Sequence, residues 1–554
     1  MNSLKHRFGT PTGPTLKART RSAGHRQAVG LWLAGFGFVV LILALLLLSR
    51  VGLPASVGIQ LTLALLGAGF TVALWVGKTM TSPDYFYASR SAPTAIVGLG
   101  GAGDWLGGAM LLVLALSPLQ QRTWLIVAVM SAIALQMILF SRSFQRSGVS
   151  TAPGFLIWRY GNRWVGLAAL FAIGAALLCV LAAELNVGVT VLSSLTGLPA
   201  DTSWALFLIV ATLPALLGGW KALLMSSSLL TVFVLLAFLA PAIASGFFAP
   251  LLAQSQALGM TPSVLSPLSS LFGGNDASLM MGGSPWSPFG PVLLLAVGLS
   301  VLPVSLSRLS LSASSQDSLE AGTWSALAAF LAISAIPLSL VLIVLTPTGE
   351  GVATVLERSA VLHALPYIAL LLAAVSAFSV SLFALGSATA RTLLRTSNLD
   401  PGERSMFTTR FACFCVATGF WFASDLALPD PQWLIFAALA LLAGGLFPAM
   451  AAACWVSHLP VWSVILAIVS GTSVPLGILA VHVLGELVLE DPGLEDPASA
   501  FVLSLQGFSF APIALSGLAA ALASLLIGRL VVHFSKAEFL DHNLLKVRSS
   551  GLDA

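Results

Sequence analysis

A succession of apolar segments runs along this chain, each about 20 residues long, which is the length that a helix needs to cross a bilayer core. Apolar residues make up 57% of the 554 residues and charged residues only 8%, with a mean hydropathy of +0.97. This composition excludes an ordinary soluble globular protein. The strict alternation that is typical of an outer-membrane barrel is missing from these segments. The sequence therefore predicts an all-α polytopic membrane protein.

Polar residues between the apolar segments divide the chain into about fourteen predicted transmembrane helices. Their predicted bounds are 30–50, 57–77, 95–116, 123–140, 164–192, 203–218, 222–246, 288–305, 321–346, 366–390, 411–427, 432–455, 461–484 and 502–528.

The distribution of positive charge predicts the orientation. If the N-terminus is cytoplasmic, only Arg50, Arg122 and Arg358 of the 25 Lys and Arg residues fall on the outer side. The positive-inside rule then predicts a multi-pass protein of the bacterial inner membrane with both termini in the cytoplasm. The basic segment 1–29 is expected to contact anionic membrane lipid, and no nucleic-acid partner is expected. A cleaved signal peptide is the less favoured alternative, because no small-residue cleavage site follows the first apolar run.

The sequence carries no pattern typical of an enzyme. No stretch of about 50 residues lies outside the predicted spans, which leaves no place for a separate catalytic domain. A phosphate-binding GxxxxGK[ST] motif and acyl-enzyme motifs are missing, and the four cysteines show no metal-ligand spacing. We therefore expect a protein that is not an enzyme and needs no cofactor beyond a coupling ion.

Only two acidic residues, Asp104 and Glu184, lie deep within predicted spans. Ionisable groups inside a bilayer are costly and are candidates for function. Because no Arg or Lys falls at the centre of a span, the sequence predicts no internal cationic partner for either. Asp104 stands in "GLGGAGDWLGGAML", residues 98–111, where each glycine weakens a helix by up to roughly 1 kcal/mol relative to alanine. The glycines predict either a broken helix that lines a site or a close helix crossing.

Four segments carry a resemblance to a known family. They are "SPDYFYASRSAPTAIVGLGGAGDWLGGAML", "SRSFQRSGVSTAPGFLIWRYGNR", "ALLGGWKALLMSS" and "VLPVSLSRLSLSASSQDSLEAG". In order and spacing they resemble motifs of the sodium:solute symporter family, above all its acetate and short-monocarboxylate permease branch. The similarity extends from about residue 57 to residue 530.

The resemblance implies a LeuT-type inverted-repeat fold, in which two five-helix repeats are related by inversion and the first helix of each repeat is broken. The implied organisation is a basic tail 1–29, two peripheral helices within 30–94, a first repeat 95–250, an outer loop 251–287, a second repeat 288–455, two C-terminal helices within 456–530 and a cytoplasmic tail 531–554.

The resemblance also implies a sodium site between the broken first core helix and the eighth. Its backbone carbonyls fall on Gly103 and Leu106. Its hydroxyl pair falls on positions 377 and 378, which are alanine and phenylalanine here. We therefore expect the flanking Ser376 and Ser379 to supply the oxygen ligands that a hard cation prefers.

A solute is expected between the two broken helices. The residues predicted to bind it are Asp104, Trp105, Glu184, Ser300, Pro303 and Ser305. The resemblance implies a short monocarboxylate, which helix N-termini would attract. Two acids would repel an anion, so a neutral or cationic solute, or one carried with a proton, is an alternative. Glu184 is either a site that loads and releases a proton or a residue that only packs.

These features together predict a secondary active transporter that moves a small solute by alternating access and is coupled to Na⁺ or H⁺. The alternative is a non-transporting sensor or regulatory membrane protein on the same scaffold. The expected partners are the solute, membrane lipid and a small membrane partner subunit.

Overall fold

The computed structural model describes residues 33–41, 43–44, 55–90, 92–116, 119–244, 289–312, 314–344, 360–393, 403–424, 429–457, 459–490 and 510–535. The predicted basic tail 1–29 and outer loop 251–287 lie outside these ranges. The helices, numbered in chain order, are α1 (Ala55–Gly77), α2 (Ser82–Tyr87), α3 (Thr94–Trp105), α4 (Gly108–Leu116), α5 (Leu119–Gln136), α6 (Arg142–Ser147), α7 (Ala152–Tyr160), α8 (Arg163–Thr196), α9 (Ala200–Leu217), α10 (Gly219–Ala244), α11 (Phe289–Ser300), α12 (Pro303–Leu309), α13 (Ser315–Val344), α14 (Ala360–Leu393), α15 (Glu403–Phe422), α16 (Pro431–Leu441), α17 (Phe447–Trp455), α18 (Val461–Glu490) and α19 (Phe510–Ser535).

The described helices agree with a polytopic membrane protein. Nine spans in this part of the chain are long and apolar enough to cross a bilayer, and two bent helix pairs bring the number up to 11. A shorter apolar helix, Val461–Gly477, lies within the predicted thirteenth span. π-helical turns at Met137–Ser141 and Leu442–Leu446 join α5 to α6 and α16 to α17, so each of these pairs is one nearly continuous span.

Both helices that the sequence predicts to be broken are broken. The axis bends by 60° between α3 and α4 and by 44° between α11 and α12. The first break follows Trp105, where Leu106 leaves helical geometry with φ −117° and ψ 54°. The second break precedes Pro303, which tolerates the first position of a helix because its missing N–H is unpaired there anyway.

Burial separates a core from a periphery. In α14 every residue of the apolar window is buried, whereas in the spans of α1 and α19 only 33% and 28% are buried. Helix α14 packs against α8 and α10, and α3 packs against α10 and α13. The broken helices and α14 therefore form the centre, and α1 and α19 present apolar side chains outward.

The glycines around the first break also allow close packing, which was the other reading left open by the sequence. A Cβ atom on Gly98 would overlap the carbonyl oxygen of Ala321 on α13. A Cβ atom on Gly108 would lie 2.7 Å from the Cβ atom of Ala374 on α14. The glycines thus permit both the break and the approach of neighbouring backbones.

Candidate functional site

The candidate site lies between the two helix breaks. A cavity of about 30 Å³ separates the end of α3 and the start of α4 from the break between α11 and α12. Trp105 and Gly107 line it on one side and Leu302 and Val304 on the other, and α8, α14 and α16 complete the wall. That volume admits water but is far below the roughly 300–1,000 Å³ of typical ligand pockets.

Asp104 forms a buried ion pair with Arg308 of α12. The guanidinium Nη2 donates to Oδ1 of Asp104 at 2.7 Å, and Nε donates to Oδ2, so the pair is bidentate. Nη2 also donates to Ser227 Oγ of α10 at 3.1 Å, and the guanidinium carbon lies 5.2 Å from the centre of the Trp220 ring. The pair thus connects the half-helices α3 and α12 and leaves little net charge there.

The expectation that Asp104 has no internal cationic partner is therefore wrong. The predicted span 288–305 ended too early, because the broken helix resumes at Pro303 and continues to Leu309. Arg308 lies on this second half and is only 4% exposed. A signal was present in the sequence, since Arg308 is the arginine of the "LPVSLSR" motif, five residues after the proline that begins α12.

Glu184 projects from α8 to the start of α4. Its Oε2 accepts a hydrogen bond from the backbone N–H of Ala109 at 3.2 Å. The first amides of a helix have no partner within the helix and carry its positive dipole end, so the carboxylate caps α4. Gly107 makes room for this contact, because a Cβ atom there would overlap Oε1 of Glu184.

Two buried hydroxyls lie beside the end of α3. Neither Ser376 Oγ of α14 nor Thr231 Oγ1 of α10 has a hydrogen-bond partner among the described residues. A Cβ atom on Gly103 would lie 2.8 Å from Thr231 Oγ1 and 3.5 Å from Ser376 Oγ. The last carbonyls of a helix also lack intrahelical partners. Two unpartnered hydroxyls therefore lie beside Gly103 near the end of α3, and Thr231 is a candidate ligand that the sequence analysis missed.

The other predicted ion ligands are placed differently. Leu106 lies at the break itself and donates its N–H to the carbonyl of Ala102. The hydroxyl of Ser379 donates to the carbonyl oxygens of Ala211 and Val375, both at 2.6 Å. Ser379 therefore faces α9, whereas Ser376, three residues earlier, faces α3.

The predicted solute-binding residues of α11 and α12 are buried and engaged. Ser300 donates to the carbonyl of Val297 at 2.7 Å. Ser305 donates to the carbonyl of Leu302 at 2.9 Å and accepts a hydrogen bond from Gln136 Nε2 of α5 at 2.8 Å. Trp105, Asp104 and Glu184 line the cavity directly.

Comparison with solved structures identifies the fold. A Na⁺-coupled sialic acid symporter in a substrate-bound, outward-open state superposes with a TM-score of 0.58 at 15% sequence identity, covering 86% of this chain and 97% of that one. A manganese transporter of Eremococcus coleocola gives a TM-score of 0.45 at 17% identity, with 80% and 95% covered. MhsT in complex with L-phenylalanine gives 0.39 at 15% identity, with 82% and 98% covered.

No protein-family model matches the sequence, and no curated protein matches it significantly. The similarity to the sialic acid symporter, together with the two bent helix pairs, shows the LeuT-type fold that the sequence resemblance implied.

Proposed function

We propose that this chain is a secondary transporter that moves a small solute across the bacterial inner membrane by alternating access, driven by Na⁺ or H⁺. The observation that carries the proposal is the cavity between two broken helices, with the ionisable groups Asp104 and Glu184 at the first break. Broken helices at the bilayer midplane are the usual solute and ion sites of inverted-repeat transporters. Membership of the sodium:solute symporter family and a short monocarboxylate as solute remain predictions from the sequence.

The small volume of the cavity supports an alternating-access mechanism. The cavity of about 30 Å³ is far smaller than the roughly 300–1,000 Å³ of typical ligand pockets, so an organic solute enters only when the helices around it part. The Asp104–Arg308 pair joins α3 to α12 on one side of the cavity. Opening on that side separates these two half-helices, and the pair therefore favours the closed arrangement.

The oxygen atoms near Gly103 are the proposed sodium site. Na⁺ is a hard cation that prefers oxygen ligands, in this case helix-end carbonyls and hydroxyls. Ser376 and Thr231 offer buried hydroxyls without other partners. Gly103 and Leu106 remain predicted carbonyl ligands, whereas the hydroxyl of the predicted ligand Ser379 faces α9 in this conformation. Proton coupling through Glu184 is the competing proposal for the driving ion.

Sodium-dependent stabilisation of the purified chain tests the ion site without knowledge of the solute. We expect NaCl to raise the melting temperature relative to KCl, and Ser376→Ala or Thr231→Val to abolish the difference. Ser387→Ala is the matched control, because this buried serine of α14 donates to its own helix at Ala384. Equal melting temperatures in both salts for the unaltered chain would remove sodium as the coupling ion.

Flux into proteoliposomes tests transport itself, with radiolabelled acetate as the first solute. Uptake driven by a sodium gradient at fixed pH supports sodium coupling, and uptake driven only by a proton gradient and lost in Glu184→Gln supports proton coupling. Binding of solutes without flux under either gradient would favour the sensor alternative.

A further inference from the structure

We infer that the central cavity selects a small organic cation, an amine or a quaternary ammonium with short apolar substituents, over the monocarboxylate that the sequence resemblance implies. The inference rests on the proposed transport function, because it assigns a substrate class to the same site. Three features of the cavity carry it: the occupied start of α4, the sign of the charge in the wall, and the apolar lining.

The N-terminus of α4 would attract the carboxylate of a solute, but it already holds the carboxylate of Glu184. Glu184 Oε2 accepts from the Ala109 N–H at 3.2 Å, and its Oε1 lies so close to Gly107 that no side chain fits there. Glu184 is 1% exposed. A carboxylate solute would have to displace this tethered carboxylate from the same amides, at the cost of burying a second negative group beside the first.

In the described part of the chain, no lysine or arginine side chain lines the cavity, so its wall offers an anion no cationic anchor. The ionisable groups that line the cavity are both acids, Asp104 and Glu184. Nε and Nη2 of Arg308 donate to Asp104, and Nη2 also donates to Ser227. Its Nη1 has no partner among the described residues but lies beside Gly100, and Arg308 is not part of the cavity wall. The ion pair is close to neutral as a unit, so the sign of the local charge depends on Glu184, which is negative when its carboxyl group is ionised. A cation beside it stabilises the ionised form and is attracted to the site, whereas an anion is repelled.

The carboxylate of Glu184 can serve the helix and a ligand together. Each carboxylate oxygen accepts about two hydrogen bonds, and Oε2 remains with the amide of Ala109 while Oε1 lies toward the cavity at Gly107. An ammonium group beside Oε1 therefore leaves the cap of α4 intact. The hydroxyl of Ser381, also in the wall, is a further acceptor for an N–H.

The rest of the wall fits short apolar substituents. Leu299, Leu302, Val304 and Met110 contribute aliphatic surface, and the indole of Trp105 adds an aromatic face. Aromatic faces attract ammonium groups by cation–π interaction. A strongly hydrated polar solute such as a sugar would leave its hydroxyls unpaired against these aliphatic side chains.

The inference is tested with three ligands that share a branched alkyl group and differ in charge: isobutylamine, isobutyrate and isobutyramide. Binding of each to the full chain in nanodiscs is measured by thermal shift and calorimetry at neutral pH. We expect the amine to bind at least about tenfold more tightly than the amide, the scale of one charged hydrogen bond, and isobutyrate to be the weakest. Tighter binding of isobutyrate than of isobutylamine, or binding of none of the three at millimolar concentration, would overturn the inference.

The variant Glu184→Gln removes the negative charge but keeps the helix cap, because the amide oxygen of glutamine still accepts a hydrogen bond from the Ala109 N–H. We expect it to remove the preference for the amine while binding of the amide persists. Asp201→Asn, which removes an exposed acid of α9, is the matched control and keeps the preference. An unchanged preference in Glu184→Gln contradicts the assignment, and if this variant does not fold, the charge series on the unaltered chain decides alone.

The two proposals fail in different ways. Amine binding without flux under any gradient would retain the substrate class and remove the transport function. Gradient-driven acetate uptake without amine binding would retain transport and remove the substrate class.

Discussion

Asp104 and Arg308 show how two charged side chains are kept inside an apolar bundle. Each is buried, and the two parallel hydrogen bonds between them satisfy most of the polar atoms that burial removes from water. Breaking such a pair leaves an uncompensated buried charge, which costs far more than the pair itself contributes. At Glu184 the compensation comes from helix amides instead of an opposite charge.

The buried ion pair predicts that substitutions of Asp104 and Arg308 have non-additive effects on the free energy of unfolding. We expect Asp104→Asn and Arg308→Gln each to destabilise the chain by about 3–5 kcal/mol, and the double variant to be less destabilised than the sum, as measured by denaturant unfolding in detergent. Lys221→Gln is the control, because its 2.8 Å pair with Asp84 is partly exposed and such pairs contribute about 1 kcal/mol or less. Additive effects at Asp104 and Arg308 would show that the pair is not formed.

The close contact between Gly107 and Glu184 allows a test of the hydrogen bond by which Glu184 caps α4. Gly107→Ala places a methyl group against Glu184 Oε1 and within 3.0 Å of the Ala377 Cβ atom, so we expect the carboxylate to leave the Ala109 amide and isobutylamine binding to fall. Gly67→Ala on α1 is the control, since nothing lies within 4 Å of that position and alanine favours a helix by up to about 1 kcal/mol. Full amine binding by Gly107→Ala would contradict the role of the cap.

Among the helices, several pairs cross closely at glycine residues, where a side chain would overlap the neighbouring helix. Gly444, in the π-helical turn between α16 and α17, meets Gly471 of α18 so closely that a Cβ atom on either would overlap the backbone of the other. Close backbone approach through small residues is how membrane helices gain packing energy in the absence of a hydrophobic driving force. Helix α18 is therefore held against the turn between α16 and α17 at this crossing.

The crossing of Gly444 and Gly471 predicts that an alanine substitution lowers stability at one glycine of α18 but not at another. Gly471→Ala should lower the melting temperature, because α18 has to move away from the turn at Gly444. Gly477→Ala, less than two turns further along α18, should not lower it, because nothing lies within 4 Å of Gly477. Differential scanning fluorimetry of both variants checks this, and equal melting temperatures would contradict the close crossing.

In the molecule as a whole, the two helix breaks border one cavity inside the bundle, and α14 packs beside it as the most buried of the described spans. Helices α1 and α19 lie at the periphery of the described bundle and present apolar side chains outward.

Orientation gives a prediction for the whole chain. Because nearly all Lys and Arg residues fall on one predicted side, we expect a C-terminal fusion to green fluorescent protein to fluoresce and a fusion to alkaline phosphatase to be inactive in bacterial cells. Active phosphatase at the C-terminus would place that end outside and contradict the predicted topology.

The helical membrane class and the two buried acids follow from the sequence alone, because each depends on a local property: apolar length, and the cost of charge in a bilayer. The glycines alone left a helix break and a close crossing open, and the family resemblance implied the breaks that the structure contains. Tertiary structure decided the partners. Arg308 reaches Asp104, Thr231 lies beside Ser376, and Glu184 caps α4, in each case across helices distant in the chain. Such contacts depend on how helices cross and rotate, which no local pattern contains.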